Sequence, residues 1–84
     1  MNTVEKTFLF KINNWPIRVE TYLSPQGTYG YDVYHILSEK PEGNSWVLVK
    51  RIPDTYATMQ DVISEVEGIK DDRMKAFKNW GIPR

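Results

Sequence analysis

Hydrophobic and polar residues alternate with a period of two through the first quarter of the chain. Over residues 4–12, Val4, Phe8, Phe10 and Ile12 fall on one side with Lys6, and Glu5, Thr7, Leu9 and Lys11 on the other. That is the pattern of a half-buried strand. Asn13 and Asn14 follow, and asparagine enters the left-handed backbone region more readily than most residues, so a tight reversal is expected there. Pro16 has no donor N–H and suits a strand start or an edge. Residues 17–23 alternate again, with Ile17, Val19, Thr21 and Leu23 inward and Arg18, Glu20 and Tyr22 outward. Ser24, Pro25, Gln26 and Gly27 then read as a turn, the proline presetting φ at the second position and the glycine closing it.

The central stretch, 29–52, organises the rest. Two runs rich in β-branched and aromatic residues flank an insert holding Pro41, Gly43 and Asn44, the composition of a β-hairpin. Both runs are apolar on two sides. Tyr29, Tyr31, Val33, His35 and Leu37 share one face against Tyr34 and Ile36, and Trp46, Leu48 and Ile52 oppose Val47 and Val49. Strands of this kind belong where both faces are covered. Every connection is short enough for a hairpin and too short for a crossover helix, which makes an antiparallel meander the simplest topology.

After Pro53 the period changes to 3.6. Met59, Val62, Ile63 and Val66 form an apolar stripe, Tyr56 extends it, and Thr58 with Asp61 makes a modest capping box. Gly68 is expected to end this helix, with Ile69 folding back on its last turn. A second helix follows, Asp71 and Asp72 at its start and Lys75 and Lys78 later, as the macrodipole favours. Met74, Phe77 and Trp80 line one face, and Phe77 and Trp80 are expected to dock it. Gly81 then stands at the stop position and Pro83 just beyond. The expected fold is α+β: one domain over residues 1–84, an antiparallel four-stranded β-meander followed by two short C-terminal helices packed on one face.

Composition narrows the function. At 84 residues without cysteine, the chain has no disulfide or thiolate metal site to staple it. Its core stands alone or is shared with a partner. Eleven basic and eleven acidic side chains cancel, so no global attraction to nucleic acid or anionic membrane arises. No apolar run approaches a membrane span and the amino terminus lacks a secretory pattern, so the expectation is a cytoplasmic protein with no membrane partner.

Candidate chemistry is sparse. His35 is the single histidine, set between Tyr34 and Ile36 with no nucleophile paired to it, and a packed sheet histidine is the simpler reading. No serine elbow, phosphate loop or His/Cys cluster occurs, so no catalytic residue, cofactor or metal is expected. Asp61 and Glu65 lie one helical turn apart, as solvated carboxylates on a polar helix face commonly do.

Charge is unevenly spread: residues 54–69 carry four acidic and no basic groups, and residues 70–84 carry five basic against two acidic. Two short helices cover one face of a four-stranded sheet, leaving aromatic and aliphatic residues on the other. A contiguous patch of that kind marks a partner surface, unless the sheet curls to bury both faces itself. The primary expectation is a non-catalytic protein-interaction module, a small regulatory or accessory protein. Its partner is another protein or a second copy of the chain, met by Tyr22, Tyr34, Trp46 and Arg51. A homodimer through the outer strand 45–52 or the uncovered face is the form expected of self-association. The alternative is a nucleic-acid-binding domain using the basic C-terminal helix and sheet aromatics. A strand pair followed by a helix resembles, in layout alone, small sheet-and-helix modules that read nucleic acid through their strands. No diagnostic residue set accompanies that layout, and no site is carried over from it.

Overall fold

A computed structural model describes residues 3–12, 14–40 and 43–82, with the backbone path alone for 37–40 and 43–45. The elements run β1 (Thr3–Ile12), β2 (Trp15–Leu23), β3 (Tyr29–Lys40), β4 (Gly43–Tyr56), α1 (Met59–Lys70) and α2 (Arg73–Trp80). All four strands form one antiparallel sheet in the order β1-β2-β3-β4, so β1 and β4 are its edges. This is the expected α+β meander with two C-terminal helices.

The turns carry the expected chemistry. Asn14 takes φ 67° and Gly27 φ 85°. Asn13, Pro41, Glu42 and Pro83 lie outside the described residues, although Gly43 and Asn44 are already paired strand, opposite Lys40 and Glu39. The β2–β3 turn is tied to the end of β4. Ser24 Oγ and Thr28 Oγ1 lie 3.0 Å apart, and Thr28 Oγ1 donates to Asp54 at 2.9 Å. These hydroxyls hold the Asp54 carboxyl below its ordinary range.

One face of the sheet and the two helices enclose the core. Ile12, Ile17, Val19, Tyr31 and Val33 meet Val62, Val66 and Ile69 of α1, Ala76 and Trp80 of α2, and Ile82. Burial of these side chains drives the docking, since neither helix is long enough to be stable alone. Thr58 caps α1 through Asp61 N–H. Asp72 caps α2 through the N–H groups of Met74 and Lys75, and Gly81 ends it at φ 71°.

Five expectations need correction. Val4 leaves the face of Phe8 and Phe10, because a register shift between Val4 and Lys6 sets it opposite Tyr22. Ile52 leaves the face of Trp46 and Leu48: the ladder shifts between Val33/Lys50 and Tyr34/Leu48, so Ile52 pairs with Tyr31 and packs on the core. Tyr56 belongs to β4 rather than the helical stripe, pairing with Tyr29. The strand tolerates Pro53 because it is an edge. Helix α1 runs through Gly68, since the buried stripe Val62, Val66 and Ile69 needs one more turn. Phe77 does not dock α2. It is 49% exposed and Met74 58%, while Ala76 and Trp80 are buried in their place.

Candidate interaction surface

The sheet face away from the helices is built by the cross-strand register. Leu9 pairs with Arg18, Arg18 with Tyr34, and Tyr34 with Leu48; one rung along, Ile36 pairs with Trp46. Directly opposed residues in an antiparallel ladder share a face. Arg18 is the centre of the set, its guanidinium carbon 4.6 Å from the Tyr34 ring centroid and 4.9 Å from that of Trp46. Such contacts favour the cation electrostatically and hold both rings in place. Glu20 Oε1 lies 3.9 Å from Arg18 Nη2, and Arg18 Nε, buried in the stack, has no hydrogen-bond partner among the described residues. Leu9 at 69% and Leu48 at 42% exposure flank the stack, whereas Ile36 is buried beside it.

Further along the same face, Arg51 Nε and Nη2 both donate to the Asp32 carboxylate, at 3.0 and 3.3 Å. Beyond them Tyr22 lies across Gly30, its cross-strand partner. Its hydroxyl donates to Ile52 O at 3.1 Å. A methyl at Gly30 would sit 2.6 Å from that hydroxyl and 2.7 Å from Ile52 O. Tyr22 is only 7% exposed, and burial raises its phenol pKa.

All four residues singled out from the sequence therefore share this face. Tyr34 and Trp46 come together around one cation, and Arg51 sits beside them on β4 paired with Asp32. Tyr22 fills the sheet surface and offers a partner little area. Sequence reasoning missed Arg18 as the organiser. The signal available was register: aligning the β2 and β3 alternations sets Arg18 opposite Tyr34.

The helix side holds a different polar group. Tyr31 and Tyr56 both donate to Glu65 Oε2, the second at 2.6 Å, and Trp80 Nε1 donates to Tyr31 Oη at 3.1 Å. Burial first, then the Glu65 hydrogen bond, pushes both phenol pKa values upward. This network joins β3 and β4 to both helices. His35 packs near Trp15, ring centroids 5.6 Å apart, beside a small cavity also lined by Ile17, Val49, Gly81 and Ile82. Among the described residues no group of three or more His, Cys, Asp or Glu side chains is placed to hold a metal ion, and no helix is long and apolar enough to cross a membrane.

Comparison with known proteins gives no match, whether to family models, to curated protein sequences or to solved structures.

Proposed function

We propose that the chain is a non-catalytic protein-interaction module, of regulatory or accessory type, that engages its partner through the open face of the sheet. The observation that carries this reading is the cluster of exposed Leu9 and Leu48 with partly accessible Tyr34 and Trp46 around Arg18, with no helix laid over it. Tyr, Trp and Arg supply most of the binding energy at protein interfaces. Here they are fixed in advance by their mutual stacking, which lowers the entropy lost on association. The partner is another protein, or a second copy meeting the same face.

The nucleic-acid reading draws less support from this arrangement. The guanidiniums of Arg18 and Arg51 lie against Glu20 and Asp32, and Arg18 occupies a face of each ring that a base would need. The α2 lysines that would track a backbone line grooves on the helix side.

The test is recovery of the partner from native extract with wild-type and Trp46→Glu chains, alongside sedimentation across a dilution series. The variant should keep the wild-type circular dichroism spectrum and lose the partner, or the dimer if the partner is a second copy. Unchanged retention, or an unfolded variant, would overturn the assignment of this face.

A further inference from the structure

Helix α2 presents a second surface, on the other side of the sheet. It buries Ala76 and Trp80 but leaves Met74 and Phe77 half-exposed, one helical turn apart. Its rotation is set by Trp80, which donates to Tyr31 Oη and packs edge-on to that ring, and by the left-handed Gly81 that follows. With the helix rotated this way, Met74 and Phe77 lie half-exposed on its outer side. Lys75 and Lys78 line a shallow groove with them. The same two lysines line the adjoining groove, whose floor includes Tyr31, Tyr56 and Glu65 and which Lys50 also lines. Lys50 faces this side because the irregularity in β4 sets it opposite buried Val33. None of the three lysines forms an ion pair with a described residue. The carboxylate between them, Glu65, accepts from two phenols.

We infer that Met74, Phe77, Lys75, Lys78 and Lys50 form a docking surface for an acidic amphipathic segment of a protein. The apolar pair takes that segment's apolar stripe and the three lysines take its carboxylates, as in helix-in-groove recognition. Charge complementarity selects the acidic partner. A nucleic acid would use the lysines and gain little from Met74. A bilayer needs a broader apolar face than two side chains on an eight-residue helix. This surface goes beyond the open-face reading and stands or falls separately from it.

The experiment titrates the isotope-labelled full chain with a synthetic peptide bearing leucines at i, i+3, i+4 and i+7 and glutamates between them, and with its glutamine counterpart. Saturable amide shifts should cluster at α2 and around Lys50. The glutamine peptide should bind about tenfold more weakly or worse, and so should Lys75→Glu/Lys78→Glu and Phe77→Ala chains with the glutamate peptide. Lys75→Gln/Lys78→Gln serves as a milder variant if charge reversal disturbs the fold, and Trp46→Glu should leave the affinity unchanged. The proposal is overturned by any of four results: no shifts, equal affinity for both peptides, shifts centred on Trp46, or α2 shifts matched by oligothymidine or phosphatidylserine vesicles. Dimerisation through α2 on concentration would also overturn it, by making a second copy the occupant.

Discussion

The two faces of this sheet draw on the same kinds of residue and put them to opposite use. On the helix face, Tyr31 and Trp80 are buried, cross-linked by a hydrogen bond and joined through Glu65 to Tyr56. On the open face, Tyr34 and Trp46 are stacked on a cation and remain partly accessible. An aromatic content of 13% therefore does not by itself measure the core of so small a chain. What separates a structural ring from an available one is the second layer: α1 packs against β3 and β4 on one side only. Tyr22 shows a third outcome, a ring on the open side that is buried with its hydroxyl end over a glycine.

The sharpest break of this contrast is Trp80→Ala. Trp80 is 1% exposed, and removing a fully buried large ring costs about 3–5 kcal/mol. Urea unfolding should show a loss of that size, and a loss below about 1 kcal/mol would place the helices at the periphery. Next comes Gly30→Ala, where the new methyl meets Tyr22 Oη and the Ile52 carbonyl. Over-packing of this kind costs about 1–3 kcal/mol, and Tyr22→Ala/Gly30→Ala should cost less than the sum of its single variants. Strict additivity in a double-mutant cycle would mean the two residues do not contact.

Tyr56→Phe removes one donor to Glu65 and should cost about 1.5 kcal/mol at neutral pH. The pH dependence has a definite sign. Unfolded phenols ionise near pH 10, whereas Tyr31 and Tyr56 are held protonated in the folded chain. Above about pH 10 the native state therefore binds more protons than the unfolded one, and stability falls as pH rises. The Tyr56→Phe chain should fall less steeply, and identical slopes would remove Tyr56 from the linkage. The smallest expected effect is Phe77→Ala, within about 1 kcal/mol because the ring is half-exposed. A larger loss would restore Phe77 to the core.

Strand positions were legible because β1 and β2 alternate over most of their length and the β3 and β4 runs are rich in β-branched and aromatic residues, and the order of pairing followed from connection length. The helix ends at Thr58, Asp72 and Gly81 were legible through capping chemistry. Where the ladder slips, alternation misled: Val4 and Ile52 each cross the sheet because of an irregularity that the local pattern does not announce. The rotation of α2 was hidden for another reason. Met74, Phe77 and Trp80 satisfy helical spacing as well as Ala76 and Trp80 do, and the choice between them rests on Tyr31, 49 residues away. The Glu65 network has the same long-range character. Of the residues on the open face, Tyr34, Trp46 and Arg51 were singled out by residue type, whereas Arg18 emerges only once register is fixed.

The Tyr22–Gly30 contact also constrains how this sequence can change with time. A side chain at position 30 and a ring at position 22 exclude each other, so neither site can drift alone. In a set of diverged descendants the two positions would read as a correlated pair: glycine opposite tyrosine, or a small residue opposite alanine. Such a pair, eight positions apart and bridged by the β2–β3 turn, would mark this hairpin in chains too different for overall identity to reveal.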